Sequence, residues 1–260
     1  MPPAIRLGML TPSSNTVLEP ATAALLADTP HITAHFQRLR VLSITLDGGS
    51  TGQFDAAPMV AAAEILADAR VHALCWNGTS GAWLGLDADR AVCAAVAAAT
   101  GIPCTTATLA LHDALRALGA RRVGLVTPYL GAVQAAILAN LRAEGFETAA
   151  ERHLDDPGNY SFADHAPELV TRLVGEVAAE GCDAIAIHCT NFRGLPAAAA
   201  VSGAMGAGAA SAPAGVAVLD SVAVALWGAL RAAGMPTAGI ASLGVLAGLG
   251  GTLPATGRGD

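Results

Sequence analysis

Short apolar runs, each closed by a small polar turn and followed by a stretch with helical spacing, recur along the whole chain. Residues 4–10 (A-I-R-L-G-M-L) predict a first strand, the turn T-P-S-S-N follows, and V-L-E-P-A-T-A-A-L-L-A has the spacing of a helix. Pro12 is positioned to stop the strand, and Ser13, Ser14 or Asn15 to cap the helix. The pattern next predicts strands at 38–44, 71–76 and from Ile102-Pro103-Cys104, with helices over 57–69, about 87–98 and 105–117. Thr105 or Thr106 is the expected cap of the last of these. The plan then restarts, with strands at 122–126, 147–153, 183–188 and near 216–218, and helices at 130–144, 162–180, 195–204 and 219–232. Residues 47–53, rich in Gly, Ser and Asp, read as a mobile lid, and D-D-P-G-N-Y-S-F as a second long loop.

Strands alternating with helices predict an α/β fold with parallel sheets. The restart predicts two pseudo-symmetric Rossmann-like lobes, each a parallel four-stranded sheet flanked by helices, with the active site in the cleft between them. Their expected bounds are 1–118 and 119–235, with 236–260 docking back and a disordered tip around Arg258 to Asp260. Two offsets support the repeat. Pro12 and Pro128 lie 116 positions apart, each after the first strand of its half, and Gly78 and Cys189 lie 111 apart, each after a later strand. Ligands of parallel sheets bind outside the carboxyl ends of the strands, so such a repeat would gather all four turns around one pocket.

Composition narrows the partners. Hydrophobic residues make up 53% of the 260 positions and aromatics only 4%, so the core is built from Ala, Val and Leu, which suits helices lying close on a sheet. A formal charge of −7 with 14 Lys plus Arg argues against a nucleic-acid surface, which needs clustered cations. The uncharged segment 195–219 is Gly-, Ala-, Ser- and Pro-rich and lacks the dense Leu/Ile/Val run of a membrane span. No secretory leader pattern opens the chain, and five cysteines, an odd number, fit free thiols in a reducing cytoplasm. The cysteines lack C-x-x-C spacing and there is no H-E-x-x-H, so neither a metal nor a cofactor is expected. A homo-oligomer is compatible with all of this.

The residues that carry chemistry sit in two turns. D-A-I-A-I-H-C-T-N at 183–191 is a buried strand ending in a polar turn, and Cys189 is followed there by Thr190 and Asn191, polar groups with no packing reason to be present. A thiol so placed can exchange a proton with a substrate carbon. Cys93 and Cys182 read as small core hydrophobes, Cys75 as core beside the pocket wall, and Cys104 as the residue before a helix. The turn Gly78-Thr79-Ser80-Gly81 offers backbone N–H groups and two hydroxyls as a local anion hole, or is an ordinary capped strand–helix turn. Tyr129, one of two tyrosines, follows a strand end and its hydroxyl could complete the hole. Asn15 is either a helix cap or an amide turned to a ligand. His188 is adjacent to Cys189, but neighbouring strand residues point to opposite faces, which makes it a poor catalytic partner.

Together with G-M-L-T-P-S-S-N-T-V-L-E-P at 8–20, T-G-I-P-C-T-T at 100–106 and R-R-V-G-L-V-T-P-Y at 121–129, these turns give the chain a specific likeness. Over nearly its whole length it resembles the aspartate/glutamate racemase superfamily, in the branch of maleate cis-trans isomerases and arylmalonate decarboxylases. Typical isomerases and racemases of that group carry two facing cysteines, and the position of the first is Gly78 here, as in the decarboxylases. The resemblance implies a carboxylate- or enediolate-binding hole from Thr79, Ser80, Tyr129 and Thr190, with Cys189 as proton donor. The P-S-S-N turn instead resembles the isomerases, in which the asparagine matching Asn15 holds a substrate carboxylate. Asn159 matches a second such asparagine.

The expected function is therefore cofactor-independent decarboxylation of a 2-substituted malonate, since loss of carbon dioxide needs no second base and one thiol protonates the enediolate. The alternatives are an isomerase or racemase acting on a small dicarboxylate, and a non-catalytic carboxylate-binding protein. A nicotinamide enzyme is the least expected reading, since the first turn is M-L-T-P-S-S-N and no G-x-G-x-x-G follows a strand.

Overall fold

The computed structural model describes residues 3–41, 56–203 and 216–250. The lid at 47–53 and the tip at Arg258 to Asp260 lie outside these residues. Two four-stranded parallel sheets form the frame. The first contains β1 (Ile5–Pro12), β2 (Ile32–Leu39), β3 (Ala73–Trp76) and β4 (Cys104–Thr106), in the order β2-β1-β3-β4. The second contains β5 (Arg122–Thr127), β6 (Glu147–His153), β7 (Ala184–Ile187) and β8 (Ala217–Asp220), in the order β6-β5-β7-β8. The two orders are the same winding performed twice, and β3 and β7 are offset by the same 111 positions as Gly78 and Cys189.

The helices are α1 (Leu18–Leu25), α2 (Ala56–Ala67), α3 (Gly81–Leu84), α4 (Leu86–Thr100), α5 (Ala107–Ala117), α6 (Gly131–Ala143), α7 (Pro167–Ala179), α8 (Leu195–Gly203) and α9 (Ser221–Ala232). Central strands β3 and β7 are buried at every position, as continuous apolar runs in a sheet covered on both faces must be. Helix starts are set by side-chain oxygens at two places. Thr106 Oγ1 accepts from Leu109 N at 3.0 Å for α5, and Asp220 Oδ1 accepts from Val222 N at 2.8 Å for α9. Each such cap stabilises its helix by about 1 kcal/mol.

One strand departs from expectation. The run 38–44 was predicted as β2, but the strand is Ile32–Leu39. It is an edge strand whose intermediate positions are half-buried, so polar His35, Gln37 and Arg38 are tolerated and the apolar run that marks a central strand is missing. Before α7 the chain also makes a separate 3-10 turn, Ser161–Asp164, where a continuous helix was predicted.

The last long helix ties the lobes together. Following β8 of the second sheet, α9 crosses to the first lobe and packs on α5, β3 and β4. Ten of its twelve residues are buried, Trp227 among them. A Cβ on Gly228 would stand 2.5 Å from Cβ of Ala110, so glycine permits the close approach of α9 to α5. After α9 a 3-10 stretch at Ala241–Gly248 buries Leu243 and Leu246, with Ser242 Oγ donating to Leu25 O at 2.5 Å. Among the described residues no helix is long and apolar enough to cross a membrane.

Candidate active site

The carboxyl ends of β1, β3, β5 and β7 meet across the lobe boundary. Cys189 lies two residues beyond β7, Thr79 three beyond β3, and Tyr129 two beyond β5. The Tyr129 hydroxyl is 2.5 Å from Thr79 Oγ1 and also hydrogen-bonds the Cys189 thiol, so one phenol links the turns of both lobes. Its ring is held by edge-to-face contacts with Trp83 and Phe162, both at 5.4 Å between centroids. All of these residues are buried.

Burial pushes the Cys189 thiol up to about 12. The Tyr129 hydroxyl and the Asn191 backbone N–H pull the other way, and the carboxyl groups of Asp220 and Asp156 add to the rise. Burial likewise raises the Tyr129 hydroxyl well above its usual value, helped by the neighbouring thiol. Both groups are therefore protonated near neutrality, and the site presents an acid rather than a thiolate nucleophile.

A second layer of polar contacts closes the lobes onto each other. Asn15 Nδ2 donates to Thr190 Oγ1 at 3.1 Å, and Thr190 Oγ1 donates to Asn77 O at 2.6 Å. The other end of the Asn15 amide accepts from Val17 N and Leu18 N, at 3.0 and 2.9 Å. The Asn15 oxygen thus satisfies two N–H groups where the chain enters α1, while its nitrogen makes an inter-lobe contact. Thr16 N donates to Asn191 Oδ1 at 2.9 Å, and Asn191 Nδ2 to Asn159 O at 2.7 Å. Asn159 Nδ2 in turn donates to Ser14 Oγ at 2.8 Å and to Val41 O at 3.1 Å. Among the described residues, no acceptor is found for the backbone N–H groups of Thr79, Ser80 and Thr190, which supplies donors for an anion.

Gly78 has a steric reason. A Cβ at this position would stand 2.6 Å from Nε1 of Trp76 and closer still to two of its ring carbons. Trp76 is fully buried, and its Nε1 donates to Ser80 Oγ at 3.4 Å. The indole therefore fills the space that a residue-78 side chain would need first. Trp76 and Asn77 were not singled out from the sequence, and Asn191 only as a polar neighbour of Cys189. Trp76 reads as ordinary strand core, and the partners of the two asparagines exist only once the lobes close.

The remaining predicted residues fall as follows. Thr79, Tyr129 and Cys189 form one connected set and Asn15 and Thr190 another, while Asn159 bonds their chain neighbours Asn191 and Ser14. The Ser80 hydroxyl is engaged by Trp76. His188 turns away from its neighbour Cys189, as strand alternation predicted, and lines a different cavity. Cys75 and Cys182 are buried, and Cys93 shares a contact with Cys104 away from Cys189.

The family model for arylmalonate decarboxylase matches residues 7–245. A maleate isomerase from Pseudomonas putida is 30% identical over 213 residues, covering 77% of this chain and 84% of the relative. An arylmalonate decarboxylase from Bordetella bronchiseptica is 32% identical over 148 residues, covering 56% of this chain and 58% of the relative. Among solved structures, the maleate isomerase Iso from Pseudomonas putida S16 superposes with a TM-score of 0.81 at 26% identity, covering 95% of this chain and 99% of that one.

Proposed function

The chain belongs to the arylmalonate decarboxylase family, and from that premise we propose that it decarboxylates a 2-substituted malonate without a cofactor. The observation that carries this reading is the pair Gly78 and Trp76. An indole stands where the side chain of a first cysteine would have to pass, which leaves Cys189 as the sole thiol of the cleft.

In the proposed reaction one malonate carboxylate loses carbon dioxide, and the electron pair of the broken C–C bond stays on the α-carbon and the remaining carboxylate as an enediolate. The hydroxyls of Thr79 and Tyr129 and the backbone N–H groups of Thr79, Ser80 and Thr190, which have no acceptor among the described residues, bind that developing charge, each such donor contributing on the order of 3 kcal/mol. Cys189 then gives its S–H proton to the α-carbon from one face, and the thiolate regains a proton from solvent. A thiol held up to about 12 is well matched to this step, because it reaches the intermediate still protonated.

A second reading, cis-trans isomerisation of maleate, draws on Asn15 and Asn159 and on the relative named maleate isomerase, which aligns over more of the chain than the decarboxylase does. Against it, Asn15 is occupied at both ends of its amide, and Asn159 Nδ2 already donates to two oxygens, so neither amide is idle. Isomerisation by thiol addition would also need a nucleophile where Gly78 stands.

Purified protein given a panel of phenyl- and alkylmalonates, with maleate alongside, tests the choice. Carbon dioxide release from one or more malonates, with one solvent deuteron in the product, is the expected result. Turnover of maleate with no malonate consumed would overturn it in favour of the isomerase, and turnover of neither would leave a carboxylate-binding protein.

A further inference from the structure

Behind the reactive turns, on the other side of β7 from Cys189, lies a separate cavity of about 200 Å³ between the lobes. Its walls are Leu84 and Leu111 from the first lobe and Leu125 and Ile137 from the second, and the rings of His112 and His188 line it as well. It touches neither Cys189 nor Tyr129, but it abuts both reactive turns: Gly81 and Ala82 directly follow Ser80, and His188 directly precedes Cys189.

Both imidazoles are buried, at 3% and 1% exposure, and each has a nitrogen with no partner among the described residues: Nδ1 of His112 and Nε2 of His188. For His188 the tautomer follows from its neighbour. The Ser221 hydroxyl donates to Ile187 O at 2.9 Å, so it faces His188 Nδ1, 3.4 Å away, with a lone pair. Nδ1 therefore carries the proton, and Nε2 is a bare acceptor on the opposite edge of the ring. Burial keeps both rings uncharged, drawing His188 down to about 3 and His112 down to about 4. A buried acceptor without a donor is costly, and natural interiors rarely keep one without a ligand or water to meet it. The other polar side chains of this cavity have partners: Asn140 Nδ2 donates to Ala82 O at 2.9 Å, Glu144 pairs with Arg116 at 2.6 Å, and Asp87 pairs with Arg90 at 2.7 Å.

We propose that this cavity is a second binding pocket, distinct from the reactive cleft, for a small uncharged molecule that combines an apolar body with one hydrogen-bond donor aimed at His188 Nε2. An aliphatic alcohol or a monocyclic phenol has this chemistry. The size agrees, since an apolar cavity of about 150 Å³ is enough for benzene. A carboxylate is a poor occupant, because it brings only acceptors to a bare acceptor.

The test uses 4-fluorophenol and fluorobenzene as probes, followed by fluorine NMR titration of the full chain. The phenol should bind at least ten-fold more tightly than fluorobenzene, and His188→Leu should erase that difference. Leu84, at the mouth and 37% exposed, offers a second variant that does not disturb the interior: Leu84→Trp should weaken the phenol at least ten-fold. Cys189→Ser should leave its affinity within two-fold. Equal binding of the two probes by the wild type would overturn the role of His188. Loss of binding in Cys189→Ser with Leu84→Trp unaffected would place the phenol in the reactive cleft and overturn the pocket. Absence of binding at millimolar phenol would mean that only water fills the cavity, and would overturn the proposal outright. None of these readouts depends on whether malonates are turned over.

Discussion

The indole of Trp76 occupies the position into which any side chain at Gly78 would project, although the two residues are separated only by Asn77. Trp76 is fully buried and cannot swing aside into solvent. Gly78→Ala is therefore expected to destabilise the fold by about 1–3 kcal/mol, the usual cost of overpacking a filled core. Chemical denaturation of the two proteins measures it. Trp76→Leu introduced together with Gly78→Ala should cost less than the sum of the single changes, and strict additivity would show that the two residues do not collide.

The role assigned to Cys189 makes a sharp contrast with the other thiols. Cys189→Ala should lower turnover of an accepted malonate by at least a hundred-fold, in line with the loss of a positioned acid. Cys93→Ala, which alters a thiol away from the cleft, should stay near wild type. Equal losses in both would mean that Cys189 matters only for packing. The active form is the thiol, and its proton is held up to about 12, so the rate should show no fall attributable to this group between about pH 6 and 9.

Tyr129 joins Thr79 of one lobe to Cys189 of the other through its hydroxyl. Tyr129→Phe keeps the ring between Trp83 and Phe162 and removes that oxygen alone. An anion-hole donor is worth roughly 3–4 kcal/mol in the transition state, so kcat should drop about a hundred- to a thousand-fold. Stability should change by only about 1 kcal/mol, the net worth of a hydrogen bond. Comparable losses in folding and catalysis, read from a thermal melt beside the kinetics, would assign the hydroxyl to structure.

How far the sequence reached follows from what each residue depends on. The offset between Gly78 and Cys189 was readable because two windings of the same sheet place equivalent turns at equivalent strand ends, and the pairings of β3 and β7 repeat it. Thr106 was readable as a cap because the contact is local, three residues long. The strand Ile32–Leu39 was not readable, since an edge strand carries His, Gln and Arg without penalty. Nor was the crossing of α9 to the first lobe, which depends on how Gly228 meets a helix more than a hundred residues earlier. The Asn15–Thr190 and Asn191–Asn159 contacts span 175 and 32 residues, and no local pattern encodes such pairings.

Asp89 supplies the clearest dependence of stability on pH. Its carboxyl is 2% exposed, accepts a hydrogen bond from the Thr106 hydroxyl, and is raised by burial to about 7, with the Thr106 bond opposing the rise. In the unfolded chain it titrates near 3.8, so between about pH 4 and 7 the folded state holds a proton that the unfolded state has released. Stability from this group must then fall as pH rises through that window. Asp220, raised to about 7, acts in the same sense, whereas the lowered His112 and His188 act in the opposite one, so the total profile is a compromise. Asp89→Asn isolates one contribution, because an amide imitates the protonated acid and cannot ionise. The melting temperature of the variant relative to wild type should therefore increase from pH 5 to pH 7.5. Each pH unit of the window is worth at most about 1.4 kcal/mol, or about 2–4 °C in a chain of this size. A difference that stays constant across those pH values would show that Asp89 is already ionised in the folded protein, and that the Thr106 hydroxyl is enough to hold a buried carboxylate.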